Sequence, residues 1–383
     1  MKEAISLRFS KFKKYITNEK NQKFVVPIIA VLLGFGVGVL IMIVTGRNPL
    51  DIFLSLFKAT SGFDIENIWD NTFNGDDGKI FNPRYIGEWL VFSMPIILTG
   101  LSVAFAFRTG LFNIGAEGQL MAGGFGAIMV GLLFDLPTII HLPLAVLTGV
   151  LFGAIWGFVP GLLKAKFNVH EVVVTIMMNY IALFTFNYLY KQFEGSTNAR
   201  TLPINGSASL SSEFLSKITN LSRLHWGFIF VILAVVAFWL IIDKTIFGFE
   251  LKAAGFNKHA SKYAGMKVNR NIILSMVIAG GFAGLAGVMI SIGTFDYGRV
   301  LPAAEGFGFD GIAVALVGGL SALGSVFAGL LFGALKAAQP IMQASGIPKD
   351  IANIIISAIV IFVAMQTGIK QFLGRFKDKE EDE

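Results

Sequence analysis

The feature that most constrains this chain is the recurrence of apolar runs about 20 residues long, the length an α-helix needs to cross the hydrocarbon of a bilayer. Phe24 to Thr45, Trp89 to Phe107, Asn113 to Leu136, Leu142 to Leu163, Val172 to Tyr190 and Trp226 to Ile242 are such runs. Ile272 to Gly293, Gly311 to Leu335 and Ile351 to Gln366 follow. A soluble domain is about 25% charged. Here 54% of the 383 residues are hydrophobic and 15% charged, and the mean hydropathy is +0.69. One water-soluble core cannot hide that much apolar surface, so the bilayer is the natural solvent. The pattern predicts an all-α, polytopic transmembrane helical bundle.

The first run is too long for the apolar part of a signal peptide, and Gly46-Arg47-Asn48 offers no small-x-small cleavage site. It is expected to stay as an anchor. Basic residues in loops set orientation. The segment 1–23 carries Lys2, Arg8, Lys11, Lys13, Lys14, Lys20 and Lys23, and the loop 244–270 carries Lys244, Lys252, Lys258, Lys262, Lys267 and Arg270. Both are expected to be cytoplasmic. The loop 46–87 is richer in acids (Asp51, Asp64, Glu66, Asp70, Asp76, Asp77) and reads as external, as does the polar loop 191–225. The charged tail 372–383 reads as cytoplasmic. An odd number of crossings cannot return the chain to its starting side. The stretch Gly306 to Met342, broken at Gly318-Gly319 and Ser321-Ala322-Leu323-Gly324, is therefore read as two crossings or a re-entrant hairpin. That gives about ten membrane segments, broken or re-entrant helices included. Gly34/Gly38, Gly280/Gly284, Ala283/Gly287 and Gly329/Gly333 supply the small-xxx-small spacing that lets helices approach closely.

Polar groups inside apolar runs are costly and call for a partner or a solute. In Phe112-Asn113-Ile114-Gly115-Ala116-Glu117-Gly118-Gln119, Asn113 and Glu117 share a face of a regular helix and Gln119 points elsewhere. Either this is an interrupted helix that builds a transport site, or it is a helix start with Glu117 paired to Arg108. In the next motif Glu171, Thr175 and Asn179 form a stripe on one helix face. Either Asn168 and Glu171 cap that helix, or the stripe belongs to a transport path; Asn179 lies deep enough to need a helix or a solute as partner. Asp310, before an apolar run, is expected to be an N-cap.

No GxSxG, HExxH, dinucleotide or P-loop motif is present, so nothing points to catalysis on this chain. The absence of cysteine excludes thiolate chemistry, and His141, His170, His225 and His259 lack metal-site spacing, so no metal is expected. In the loop 244–270, Asn257 is expected to cap a short helix that runs to Ala264 and is closed by Gly265. That helix either lies on anionic lipid heads or docks a cytoplasmic partner.

The motifs Phe112 to Gln119, His170-Glu171-Val172-Val173-Val174-Thr175-Ile176-Met177-Met178-Asn179 and Phe309-Asp310-Gly311-Ile312-Ala313-Val314-Ala315-Leu316 resemble, in that order, a known family. It comprises the permease subunits of bacterial ABC importers in the ribose and branched-chain amino acid permease superfamily. The nucleoside branch, served by lipoproteins of the basic membrane protein type, is the most similar. The resemblance runs from Phe24 to Gln371. The family's coupling segment usually reads Arg-Ala-x-Gly-x-Asn followed by Pro; here Lys252 replaces the Arg and Lys258 stands at the Pro position.

The resemblance implies a permease domain over 24–371 and a two-permease, two-ATPase complex. Its expected partners are ATP-binding subunits, a second permease, identical or homologous, an external substrate-binding lipoprotein, a small-molecule substrate and the bilayer; no nucleic acid is expected. The chain itself holds no cofactor, since ATP-Mg belongs to the ATP-binding subunit. Coupling to that subunit is implied for Lys252, Gly255, Asn257, Lys258, His259, Ala260, Tyr263 and Gly265. Asn113, Glu117, Gln119, Glu171, Thr175 and Asn179 are the candidates for the substrate pathway or its gating. The expected cargo is a nucleoside crossing a bacterial cytoplasmic membrane. A sugar or branched-chain amino acid carried by the same machine, or an ion-coupled secondary transporter with Glu117 or Glu171 as the coupled carboxylate, are the alternatives.

Overall fold

The computed structural model describes residues 19–65, 67–68 and 79–374. The basic N-terminal residues up to Lys14, the acidic residues Glu66, Asp70, Asp76 and Asp77, and the charged tail from Arg375 lie outside them. The chain forms two compact units, Met1–Leu50 with Gly346–Glu383 and Asp51–Ser345.

Among the described residues, eight helices are long and apolar enough to cross a membrane, and Phe307–Val317 and Asp350–Ala364 are shorter apolar helices. Eight long helices and two shorter apolar ones agree with the expected bundle of about ten segments. In chain order the helices are α1 (Glu19–Val44), α2 (Leu50–Ser61), α3 (Pro83–Arg108), α4 (Ala116–Leu133), α5 (Thr138–Phe167) and α6 (Glu171–Tyr190). Next come α7 (Glu213–Ile218), α8 (Gly227–Lys244), α9 (Ile246–Phe256), α10 (Lys258–Tyr263) and α11 (Val268–Val288), the last prolonged by a π-helical turn, Met289–Phe295. The chain closes with α12 (Phe307–Val317), α13 (Ala322–Ala344), α14 (Asp350–Ala364) and α15 (Gln366–Gly374).

The larger unit is organised by glycine. A Cβ on Gly284 of α11 would stand 2.7 Å from the Gly149 carbonyl oxygen and 3.0 Å from the Gly153 Cα of α5, so the two backbones touch. Gly280 is as close to the Gly153 carbonyl, and Gly287 to that of Leu120 in α4. The small-residue spacing read in the sequence thus marks real backbone contacts. α3, α4 and α11 are buried over most of their length. α5, α6 and α8 instead expose apolar side chains such as Ile155, Phe184 and Ile232, as helices facing an apolar surrounding do. In the smaller unit the same device acts once more: Gly34 of α1 leaves room for Ile359 of α14.

The stretch Gly306 to Met342 is broken, as expected, and a turn divides it. α12 packs on α3, where Thr99 Oγ1 donates to the Phe307 carbonyl at 2.9 Å. Gly319 and Leu320 then take left-handed backbone, and α13 starts on Ser321, whose hydroxyl accepts the Gly324 N–H at 3.1 Å. Among the described residues there is also a short sheet. β1 (Arg200–Pro203) pairs antiparallel with β2 (Tyr297–Arg299), and Thr201 Oγ1 accepts the Gly298 N–H at 2.9 Å. The pairing ties the loop 191–225 to the exit of α11. Tyr190, the last residue of α6, lies against Gly298. The first residue of α6, Glu171, pairs with Lys164, which shares a groove with Lys258 of α10. The strands and α10 therefore mark opposite ends of the larger unit.

Candidate functional site

The segment between α3 and α4 is not a helix start of the ordinary kind. α3 ends at Arg108, Gly110 turns with φ +72°, and α4 begins only at Ala116. Asn113 therefore precedes the helix, and its expected face-sharing with Glu117 does not arise. Its side chain is buried and faces Gln119 instead. Asn113 Nδ2 donates to Gln119 Oε1 at 2.8 Å and to Ser102 Oγ at 3.2 Å. Gln119 Nε2 returns a bond to Asn113 Oδ1 at 3.2 Å, and that oxygen also accepts the Gly115 N–H at 3.1 Å. Non-helical backbone buried in apolar surroundings must find such partners, and the two amides supply them.

Asn179, near the middle of α6, completes the knot. Its Oδ1 accepts the Gly118 N–H at 2.8 Å and its Nδ2 donates to the Ile114 carbonyl at 3.0 Å. Thr175 is buried one turn earlier, bonds back to the Glu171 carbonyl at 2.8 Å and packs against Gly115. Glu117 does not meet Arg108, which pairs with Asp243 at 2.8 Å. The Glu117 carboxylate, 1% exposed, accepts the backbone N–H groups of Gly306 at 2.9 Å and Gly308 at 2.5 Å. It caps the start of α12 from another helix, where the positive end of the helix dipole favours a carboxylate.

Two capping expectations fail. Asn168 closes α5 in left-handed backbone (φ 52°) rather than opening α6, whose N-cap is His170 with no side-chain bond. Glu171 pairs with Lys164 at 2.8 Å instead of closing a capping box. Asp310 lies inside the first turn of α12, whose N-cap is Gly306, and it pairs with Lys336 at 3.0 Å. An acid inside that first turn is still well placed for the dipole.

Beside the polar knot, towards the strands, lies a narrow recess of about 40 Å³. α4 contributes Leu120, Met121 and Gly124; α6 contributes Leu183, Phe186, Asn187 and Tyr190; the π-helical turn contributes Ile290 and Ser291. Arg299, Leu301 and Glu305 close it. Arg299 and Glu305 form a forked pair at 2.6 and 2.5 Å, and the guanidinium lies 3.9 Å from the centre of the Phe295 ring. Asn187 holds the Leu301 backbone by two bonds, at 2.7 and 2.9 Å. The recess thus offers aromatic faces with a carboxylate, a guanidinium and an amide nearby. Sequence reasoning missed Asn187, Ser291, Arg299 and Glu305. An opposite-charge pair six residues apart beside apolar runs was the one signal available for Arg299 and Glu305.

At the other end, α10 is capped as expected. Asn257 Oδ1 accepts the His259 and Ala260 N–H groups, both at 3.0 Å, and Gly265 turns the chain with φ +82°. Lys258, His259, Ala260 and Tyr263 are exposed, Tyr263 at 98%. Lys252 joins Arg108 on Asp243, at 3.6 Å. Gly255 meets the turn before the polar knot backbone to backbone: a Cβ there would lie 2.7 Å from the Gly110 nitrogen.

Residues 85–364 match the family described as the branched-chain amino acid transport system permease component. The chain belongs to this family. As such a permease it is a multi-pass transport component of the cell membrane rather than an enzyme, and it works with ATP-binding subunits and a substrate-binding protein. The permease is 50% identical to the guanosine ABC transporter permease protein NupP of Bacillus subtilis, over 92% of this chain and 97% of that protein. It is 39% identical to the nucleoside ABC transporter permease protein NupB of Lactococcus lactis, over 94% and 96% of the two chains. To the glucose ABC transporter permease protein TsgB13 of Haloferax volcanii the figures are 29%, 90% and 88%. No solved structure matches the permease significantly.

Proposed function

We propose that this permease imports nucleosides, purine nucleosides among them, and that the recess by Arg299 and Glu305 is where the solute is recognised. The observation that carries the reading is the recess chemistry: Phe186 and Tyr190 as faces for a base, with hydrogen-bonding groups at one rim. The likeness to guanosine and nucleoside permeases along nearly the whole chain supports it. The cleft is narrow, so solute entry requires α4, α6 and the 299–305 segment to part.

The drive comes from ATP-Mg on a separate subunit that receives α10. A second permease and an external lipoprotein complete the machine. Ten crossings keep both chain termini on the cytoplasmic face, with α10 inside and the paired strands outside. Motion of α10 reaches the polar knot through the Gly255–Gly110 contact, and the knot borders the recess. Neither Asn113, Gln119 nor Asn179 is the solute ligand in this scheme, since their amides hold backbone and each other. They are the hinge pins of the site. Glu171 and Thr175 brace the same helix.

A sugar is the second reading, favoured by the likeness to the glucose permease. Uptake of labelled guanosine, glucose and leucine, in cells with and without this gene, separates the cargoes. ATP depletion under a maintained ion gradient tests the drive. Loss of guanosine uptake alone, dependent on ATP, is the expected result. Loss of glucose uptake with guanosine untouched would overturn the nucleoside reading.

A further inference from the structure

We infer that Glu117 is a positioning residue for the solute site: it fixes Glu305 by holding the backbone that follows it. The inference rests on the reading of the recess as the nucleoside site. Glu305 is followed directly by Gly306, whose N–H donates to the Glu117 carboxylate at 2.9 Å, and the Gly308 N–H donates to the other oxygen at 2.5 Å. Gly306 is in left-handed backbone (φ +88°), and a Cβ built there would meet nothing within 4 Å. No side chain packs at Gly306 itself; the two N–H bonds tie the turn there, and the Thr99 hydroxyl holds the next carbonyl, that of Phe307. Gly308 lies directly on the Glu117 backbone, where any Cβ would overlap, which locks α12 to the first turn of α4. The same turn of α4 leads into Leu120 and Met121, on the wall of the recess. Glu117 thus joins one wall to the carboxylate of the opposite rim, across 189 residues of chain.

The chemistry explains why a carboxylate stands there. Two parallel N–H donors at a helix start need two acceptor oxygens, and a carboxylate presents both. An amide presents one oxygen, and its NH2 group then faces a donor. Glu117→Gln therefore keeps size and shape but frees one end of the turn, and Glu305 loses its fixed place beside Arg299.

The test is a double-mutant cycle on the detergent-purified complex of permease and ATP-binding subunits, read as the dissociation constant of labelled guanosine. Glu305→Ala and Glu117→Gln are each expected to weaken binding about tenfold, the scale of one charge-assisted hydrogen bond. The double variant is expected to be no more than about twofold weaker than Glu305→Ala, since the two residues act through one contact. Complex yield and monodispersity, read alongside, exclude a collapsed bundle. Should Glu117→Gln fail to assemble, Glu117→Asp, which keeps both oxygens on a shorter arm, takes its place in the cycle. Multiplicative losses in the double variant, or guanosine binding unchanged by Glu117→Gln, overturn the positioning role. Guanosine binding unchanged by Glu305→Ala overturns the recess reading itself, which distinguishes the two failures.

Discussion

The cap of α10 can be perturbed in graded steps. Asn257 Oδ1 satisfies two backbone N–H groups of a helix spanning only Lys258–Tyr263, of which Ser261 alone is buried. A helix that short is unstable by itself, so the cap carries a large share of its order. Asp at an N-cap equals Asn, Gly loses a few tenths of a kcal/mol, and Ala loses about 1 kcal/mol. One kcal/mol is about a fivefold change in the ratio of ordered to disordered helix. Asn257→Ala is therefore expected to lower solute-stimulated ATP hydrolysis by about fivefold, in complexes reconstituted in liposomes with the binding protein. Asn257→Gly should fall between, and Asn257→Asp should match wild type. Co-purification of the ATP-binding subunit reports docking separately. A flat series, or Asp as harmful as Ala, would refute the argument that an ordered α10 is what the ATP-binding subunit grips.

Other outcomes follow from the packing and the buried groups. Gly284→Val places its Cβ 2.7 Å from the Gly149 oxygen and must push α5 from α11. It is expected to cost about 1–3 kcal/mol, read as a lower melting temperature in detergent. Gly110→Val forces left-handed backbone on a β-branched residue and drives a side chain into Gly255. Uptake is expected to fall more than complex yield, and equal losses would show that the contact serves stability alone. Burial pushes His225, just before α8, down to about 4 from its ordinary 6.5. The unfolded chain then binds a proton that the folded one refuses, so stability is full above pH 6.5 and falls as the pH drops towards 4. A melting curve taken at several pH values should carry that slope, and His225→Gln should flatten it.

Much of the architecture was legible because its causes are local. Hydrophobic runs of bilayer length marked the long helices, and Gly318-Gly319 marked the break between α12 and α13. The Asn257 cap and the Gly265 stop sit within a few residues of the groups they serve. The capping box at Asn168 and Glu171 failed because Lys164, on the preceding helix, offered the carboxylate a charge at 2.8 Å, which outweighs a neutral N–H. The alternative that paired Glu117 with Arg108 fell in the same way: Asp243 takes the arginine.

What the sequence by itself determined is a helical membrane protein of about ten segments with glycine-lined crossings, a capped polar helix in its basic loop, and buried polar groups between Asn113 and Asn179. A water-free surrounding makes each of those properties readable from composition and spacing, because helices must be apolar, long and internally bonded. Only the tertiary structure decided who answers those polar groups. Glu117 could have met a cation, a solute or a helix end; it met the Gly306 and Gly308 N–H groups because α3 and α4 hold the start of α12 beside it. Arg299 and Glu305 became the rim of a recess for the same reason. Such pairings depend on distances between helices far apart in the chain, which packing sets and hydropathy does not encode.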